Sequence, residues 1–176
     1  MSKRVITINR MLGSNGRLIG KALAEELGFA FYAKVDEKRG SQWRFPIDHE
    51  LQMDSDFHFV PMNDVLFDLQ RKIILDAAEK EDCVIVGRCA NHILDNKCLS
   101  VFIHAPFEYR VQTVIERTGR EEKSAQKLVK KVDKERRTYY EYFTDKKWKD
   151  ISQYHLAFDS SKFEQDKIIQ MIKMAL

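Results

Sequence analysis

A short apolar strand followed by a glycine loop and then a helix constrains this chain more than any other feature. Residues Arg4 to Asn9 (RVITIN) are rich in β-branched side chains and predict a buried strand. After the loop, Ile19, Leu23 and Leu27 recur at helical spacing, and Gly28 is a typical helix stop. At such a junction, backbone amides and the positive end of a helix dipole converge on an anion. The pattern favours phosphate binding by residues 13 to 17 over a plain tight turn, which glycine also serves.

The rest of the chain continues to alternate between strands and helices. Apolar stripes predict helices at residues 62–77, 106–115 and 161–174, and apolar runs predict strands at 83–86, 100–104 and 154–159. Ser161 and Glu164 have the spacing of a capping box at the start of the last helix. Short apolar strands separated by helices predict an α/β fold, with a parallel sheet flanked by helices on both faces.

Length, charge and cysteine content narrow the class of protein. The 176 residues suffice for one domain, and the net charge of +3 suits phosphate ligands without reaching the asymmetry of a nucleic-acid-binding arm. Cys83, Cys89 and Cys98 lack the paired spacing of a zinc site or a disulfide framework, which favours a reduced, intracellular chain. Apolar runs are too short to cross a bilayer, so we expect a cytoplasmic protein without membrane contact.

Two stretches interrupt the alternation. Ala33 to Pro61 carries four aromatic residues without a sustained period, and it is either a flap over a ligand or an irregular surface loop. Arg117 to Lys149 is crowded with charged residues, and Leu128 and Val132 repeat at helical spacing. This second stretch predicts a charged helical hairpin that projects from the core.

The glycine loop has the chemistry of a phosphate loop without the sequence of the usual one. A Walker A motif requires a lysine followed by a hydroxyl residue after its last glycine, whereas Gly16 is followed here by Arg17 and Leu18, so Arg17 is the candidate cation. The whole run Ile8 to Gly20 (INRMLGSNGRLIG) resembles the variant phosphate loop of the cytidylate kinase-like family, a branch of the P-loop nucleoside monophosphate kinases. Further blocks similar to that family follow in order: Phe31-Tyr32, VIVGRCA at 84–90, VFIHAP at 101–106, DKER at 133–136 with Tyr139-Tyr140, and Trp148.

The resemblance implies a three-layer P-loop NTPase fold and transfer of a phosphoryl group from ATP to a nucleoside monophosphate, with Mg²⁺. It also implies one domain over residues 1–176, with a core (1–32, 63–116 and 150–176), a monophosphate-binding segment (33–62) and a helical lid (117–149). Nucleotides are the expected partners, and nucleic acid is not. The resemblance does not indicate the oligomeric state or the base that is accepted.

Candidate site residues follow from the resemblance and from the chemistry of the reaction. Because catalysis in this class is mostly positioning and charge neutralisation, arginines matter more than a general base. The candidate catalytic residues are Arg17, Arg88, Arg110 and Arg136. Phosphate binding is predicted for Gly13, Ser14, Asn15, Gly16, Arg17, Leu18, Arg117 and Ser160, and substrate binding for Tyr32, Lys34, Arg88 and Asp133. No metal ligand is assigned, and Mg²⁺ would depend on Ser14, on water or on the nucleotide.

Alternatives stay open at several of these positions. Arg110, Arg117, Asp133 and Arg136 could equally form ordinary ion pairs of helix surfaces. The chain also has Ala33 where the family commonly has aspartate, Asn15 where glycine is usual, and a shorter middle segment. These departures are compatible with a non-catalytic protein that binds nucleotides or phosphate. A docking surface for RNA or protein on the basic lid is a further alternative.

Overall fold

A parallel β-sheet forms the middle layer of the structure. The computed structural model describes residues 3–33 and 64–176. This part of the chain contains a five-stranded sheet, made of β1 (Val5–Arg10), β2 (Ala30–Tyr32), β3 (Cys83–Val86), β4 (Leu99–His104) and β5 (Leu156–Asp159). The strand order is β2-β3-β1-β4-β5, and all neighbouring strands are parallel. The predicted parallel α/β sheet is therefore confirmed.

Helices cover both faces of the sheet. They are α1 (Gly16–Leu27), α2 (Asp64–Lys80), α3 (Ala90–Leu94), α4 (Phe107–Thr118), α5 (Glu122–Thr144) and α6 (Gln165–Met174). Alternate residues of β1 face opposite layers: Ile6 and Ile8 pack in one cluster with α1 and α6, whereas Val5 packs with residues of α2 and α3. The strands are apolar on both sides because both faces are buried, and this is why they appear in the sequence as continuous apolar runs.

Sequence periodicity predicted most of these elements but missed the strand β2 and the short helix α3. The predicted strand Cys83–Val86 matches β3, and Gly28 ends α1 in the left-handed conformation, with φ of 66°. The missed strand, β2, has only three residues, too few for a period to show, and it is defined by pairing with β3.

The predicted capping box at the last helix is wrong. The Ser161 backbone amide and hydroxyl both donate to Asp159 Oδ1, at 2.9 and 2.7 Å, and α6 begins only at Gln165. Glu164 occupies the N-cap position without a side-chain hydrogen bond. A carboxylate two residues before a serine is a strong local acceptor, so it engages Ser161 in a turn before the helix begins.

The predicted projecting helical hairpin within residues 117–149 is wrong: α4 ends at Thr118, and the stretch forms one long helix, α5, which packs back on α4 and on the core. Near its start, α5 buries Ala125 and Val129 against α4. Near its end, Tyr140 packs in a cluster with Phe102 of β4 and with Trp148. The apolar stripe of α5 therefore packs one end of the helix against α4 and the other against the core, although most residues of α5 are charged or polar.

A buried hydrogen-bonded chain joins the central strand to α5. Asn9 Nδ2 donates to Asn91 Oδ1 at 2.9 Å, and Asn91 Nδ2 donates to the Tyr140 hydroxyl at 2.9 Å. The Tyr140 hydroxyl in turn donates to Gln153 Oε1 at 3.1 Å. Asn9, Asn91 and Tyr140 are all buried, so these contacts satisfy polar groups that would otherwise be costly to bury. We call Asn9, Asn91 and Tyr140 the polar seam.

The structure does not describe one predicted segment, and it bears on the prediction about membranes. The predicted monophosphate-binding segment, apart from Ala33, and Lys34 within it lie outside the described residues. None of the helices in residues 3–33 and 64–176 is long and apolar enough to cross a bilayer.

Candidate functional site

The glycine loop lies at the carboxyl edge of the sheet, where neighbouring strands send their chains to opposite faces. After β1 the chain enters α1, which packs on one face, and after β3 it enters α3, which packs on the other. Parallel sheets open a crevice between the carboxyl ends of two such strands, and ligands bind there. The residues that follow β1 and β3 therefore face the same crevice.

The main chain of the loop presents free donors at the start of α1. Gly13 and Asn15 have φ of 79° and 66°, and the first helical bond runs from the Ile19 amide to the Asn15 carbonyl. Within the described residues, no acceptor is bonded to the amides of Gly13, Asn15 or Gly16. The first turn of α1 also contains no acidic residue. These amides and the helix dipole together suit an anion.

Two glycines of the loop are required by close packing. A Cβ on Gly13 would lie 2.5 Å from the Arg110 carbonyl oxygen, and a Cβ on Gly16 would lie 2.4 Å from Cβ of Arg10. Both distances are well inside van der Waals contact, and Gly13 also has positive φ. The loop therefore needs glycine for its conformation and for the approach of α4 and β1.

Ser14 and Ser160 stabilise the loop through hydrogen bonds to main-chain carbonyls. The Ser14 side chain is fully buried, and its hydroxyl lies 2.8 Å from the Met11 carbonyl and 3.2 Å from that of Ile103. The Ser160 hydroxyl, after β5, donates to the Ser14 carbonyl at 2.6 Å. Both serines thus lie at the loop with their hydroxyls engaged by main-chain carbonyls, and phosphate binding by either stays a prediction.

A buried ion pair holds the loop at Leu12. Arg110 Nη1 lies 2.6 Å from Asp133 Oδ2, and both side chains are about nine-tenths buried or more. Asp133 Oδ1 accepts from the Leu12 amide at 2.9 Å, while Arg110 donates to the Leu12 carbonyl at 3.1 Å and to the Ala105 carbonyl at 2.9 Å. The structure thus places Arg110 and Asp133 as braces of the loop main chain. Direct contact of either with a ligand stays a prediction.

Four arginines converge beside the loop, and one of them was not predicted. Arg17, Arg88 and Arg136, all predicted, lie close enough to Arg10 to act on it electrostatically. Burial and the charges of these three arginines lower the pKa of Arg10 well below its ordinary value. Burial also lowers the pKa of Arg136 to about 10, although Asp133 acts in the opposite direction. Positive charge crowded in this way is stabilised by a bound anion.

Arg88 is held in place by a residue that the sequence did not indicate. Gly87, Arg88 and Cys89 all have positive φ, at 75°, 59° and 56°. Gln70 of α2 is buried, and its side chain accepts from Arg88 Nη1 and donates to the Arg88 carbonyl, both at 3.1 Å. Gln70 Nε2 also lies 3.1 Å from the Tyr139 hydroxyl on α5. No periodicity or motif marks Gln70, because its role depends on a contact with a turn 18 residues away in the chain.

The remaining predicted residues are divided between the loop and other regions. Arg117 Nη2 donates to Asn15 Oδ1, so it reaches the loop from the last turn of α4. Leu18 is 39% exposed in the first turn of α1. The Tyr32 hydroxyl donates to Glu81 at 2.8 Å, at the turn into β3, and burial together with this carboxylate raises the pKa of Tyr32. The structure does not bring that hydroxyl to the glycine loop.

The five-stranded parallel sheet, its flanking helices and the glycine loop at the start of α1 have the fold of the P-loop kinases. Shikimate kinase from Acinetobacter baumannii shares the fold, with a TM-score of 0.57, 14% identity, and coverage of 98% of this chain and 92% of that chain. The family model described as the cytidylate kinase-like family matches residues 5–162. The chain belongs to the cytidylate kinase-like family.

Relatives support the same assignment over nearly the whole chain. A protein named cytidylate kinase from Pyrococcus furiosus is 29% identical over 175 residues, covering 98% of this chain and 88% of the relative. A crystal structure of an uncharacterized protein from Eubacterium ventriosum superposes with a TM-score of 0.78 at 31% identity, covering 98% of each chain. The resemblance seen in the sequence is therefore confirmed.

Proposed function

We propose that this protein transfers the γ-phosphoryl group of ATP to a nucleoside monophosphate, with a pyrimidine monophosphate such as CMP as the acceptor. The observation that carries the proposal is the convergence of Arg10, Arg17, Arg88 and Arg136 beside loop amides that have no acceptor in the described part of the chain. The relatives named cytidylate kinase support the choice of acceptor. A cytoplasmic location belongs to the same proposal.

The described residues fit the phosphate groups of ATP. The amides of Gly13, Asn15 and Gly16 would hold phosphate oxygens, with Arg17 beside them at the start of α1. Arg88 lies on the β3 side of the crevice and would take the phosphate of the acceptor. Donor and acceptor phosphates would then meet at the carboxyl ends of β1 and β3.

The described residues do not fit a Mg²⁺ ion held by protein ligands. Mg²⁺ prefers oxygen ligands such as hydroxyls and carboxylates in octahedral geometry. The Ser14 hydroxyl is buried and engaged by two carbonyls, and the Asp133 carboxylate is engaged by Leu12 and Arg110. The fully buried Ser14 hydroxyl is not directed into the crevice in this arrangement, so water and the nucleotide would supply the Mg²⁺ ligands, and we derive no step through the ion.

The chemistry requires little from the protein beyond position and charge. Phosphoryl transfer passes through a loose transition state with negative charge on the three equatorial oxygens. Fixed donors in a site sheltered from water stabilise that charge without reorganising during the reaction. Arg88 is suited to this task because Gln70 and the left-handed turn fix its position before any ligand binds.

A coupled assay of ADP release tests the proposal. The wild type is assayed with ATP, Mg²⁺ and each of AMP, CMP, GMP and UMP, and we expect turnover with CMP or UMP to exceed turnover with the purines. Arg88→Gln is expected to lower kcat/KM for the acceptor by at least about tenfold, because a charge-assisted contact is lost. Arg4→Gln is the matched control, since Arg4 pairs with Asp82 at the opposite edge of the sheet. Absence of turnover with all four acceptors at high enzyme concentration would contradict the proposal.

A second candidate function is a non-catalytic protein that binds nucleotides or phosphate. One observation favours it: Ala33 is only 2% exposed and belongs to the main core cluster, at the position where the family commonly has an aspartate. No carboxylate is therefore supplied at that position. Thermal stabilisation by ATP without turnover would support this candidate, and ready turnover would exclude it.

A further inference from the structure

Arg10 links the two sides of the crevice. It is the last residue of β1, and the first carbons of its side chain pack against Gly16 of the glycine loop. Glycine is required there, because a Cβ on residue 16 would lie 2.4 Å from Arg10 Cβ and 2.9 Å from its Cγ. The other end of the side chain lies beside Gly87, where a Cβ would lie 2.7 Å from Arg10 Nη1. Two glycines therefore make room for one arginine, which extends from the phosphate loop to the turn that carries Arg88.

The guanidinium of Arg10 lacks the partners of a structural arginine. Among the described residues, none accepts a hydrogen bond from it, although its main-chain carbonyl accepts from Arg136 at 3.1 Å. Two other arginines of the chain have acceptors: the Arg110 guanidinium contacts Asp133 and two carbonyls, and the Arg4 guanidinium donates twice to Oδ2 of Asp82. A mostly buried guanidinium that has five donors and no acceptor in residues 3–33 and 64–176 requires an explanation.

The charges around Arg10 point to an anionic ligand. Its electrostatic neighbours in residues 3–33 and 64–176 are Arg17, Arg88, Arg136 and Asp133, and the Asp133 carboxylate is already paired with Arg110. Repulsion among these arginines is unfavourable in the unliganded protein and is relieved when phosphate groups enter.

We propose that Arg10 is a catalytic residue that contacts the phosphoryl group while it is transferred. The proposal rests on the proposed function and adds to it a specific donor between the ATP side and the acceptor side. In the step itself, the bond between the γ-phosphorus and the bridging oxygen breaks, and its electron pair leaves with ADP. An oxygen of the acceptor phosphate supplies the pair for the new bond. Arg10 keeps all its protons and donates hydrogen bonds to the equatorial oxygens.

Steady-state kinetics of Arg10→Gln and Arg10→Lys test this role. We expect Arg10→Gln to lower kcat by at least about 100-fold with a smaller change in the KM of either substrate, because the contact matters most in the transition state. Arg10→Lys keeps the charge but loses the planar fork, so kcat should fall to an intermediate value. Millimolar guanidinium chloride should partly restore Arg10→Gln and leave Arg4→Gln unchanged. Wild-type kcat in Arg10→Gln would overturn the proposal.

A binding measurement separates this proposal from the proposed function. Inorganic tripolyphosphate is titrated calorimetrically into the wild type, Arg10→Gln and Arg4→Gln, without any need for turnover. We expect Arg10→Gln to weaken binding by about tenfold or more, and Arg4→Gln to bind like the wild type. Inactivity of the wild type with all acceptors would remove the proposed function, whereas unchanged tripolyphosphate affinity in Arg10→Gln would remove the Arg10 contact.

Thermal unfolding without ligand distinguishes a ligand contact from a structural role. Because Arg10→Gln removes one charge from a repelling cluster, the unliganded variant should melt at the same temperature as the wild type or higher. Stabilisation by tripolyphosphate should be smaller in the variant. A large drop in the melting temperature of the unliganded variant, with ligand stabilisation intact, would show that Arg10 is structural and overturn the proposal.

Discussion

Replacing Asp133 by asparagine tests whether the buried pair with Arg110 holds the glycine loop. The substitution keeps the shape of the side chain and removes its charge. Arg110, which is 4% exposed, is then left as a buried cation without its counter-ion. Breaking a buried pair from one side typically costs about 3–5 kcal/mol.

The expected loss is large enough to measure directly. For a chain of this size, about 1 kcal/mol corresponds to roughly 2–4 °C in melting temperature, so Asp133→Asn should melt about 6–20 °C below the wild type. Lys131→Gln is the matched control on the same helix: its ion pair with Glu135 is at 3.9 Å, Lys131 is 66% exposed, and the change should cost less than about 1 kcal/mol.

A double substitution identifies the source of the loss. Arg110→Met combined with Asp133→Leu removes both charges, so it should destabilise less than the two single substitutions added together. Its ATP affinity should still be reduced, because the Leu12 amide and carbonyl lose their partners. The reasoning is refuted if Asp133→Asn unfolds within about 1 kcal/mol of the wild type, or if the two single effects simply add.

Three further substitutions address the loop and its surroundings. Gly13→Ala should destabilise clearly more than Gly119→Ala in urea unfolding, because both have positive φ but only at Gly13 would the new Cβ meet main chain at 2.5 Å; equal losses would contradict this. Ser160→Ala removes the bond to the Ser14 carbonyl and should cost about 1 kcal/mol and weaken ATP binding, as calorimetry would show; unchanged values for both would contradict it. Burial and the charge of Lys146 lower the pKa of His92, so the unfolded chain takes up a proton more readily than the folded one as pH falls through 6.5. His92→Gln should therefore lose less stability than the wild type between pH 7 and pH 5, and parallel pH profiles of the two melting temperatures would contradict this.

The sequence predicted the fold well because its strongest signals are local. Strands buried on both faces appear as apolar runs, and the helix stop at Gly28 depends on the conformation of one residue. The predicted capping box was wrong because it rested on the spacing of Ser161 and Glu164 alone. The carboxylate of Asp159 competes for Ser161 and accepts its hydrogen bonds. Strand β2 has too few residues for any period to show.

Several of the predicted site residues converge at the glycine loop, but their contacts with one another could not be predicted from the sequence. Arg110 and Asp133 were both singled out, yet nothing in the sequence shows that residues 23 positions apart pair with each other and with Leu12. Arg10 carried a usable signal, because it ends the central strand just as Arg88 follows β3. The sequence does not show that Gly16 and Gly87 both leave room for the Arg10 side chain, because this depends on the glycine loop and the turn after β3 lying next to each other in the fold.

The polar seam has a consequence for how α5 is positioned. Aliphatic contacts tolerate a helix that shifts along a sheet, whereas the bonds from Asn9 through Asn91 to Tyr140 have fixed lengths and directions. Tyr140 and Asp133 lie seven residues apart on α5, about two turns or roughly 10 Å along its axis. The hydrogen bond between Asn91 and Tyr140 thus sets the axial position of α5, and with it the position at which the Asp133 carboxylate meets the Leu12 amide.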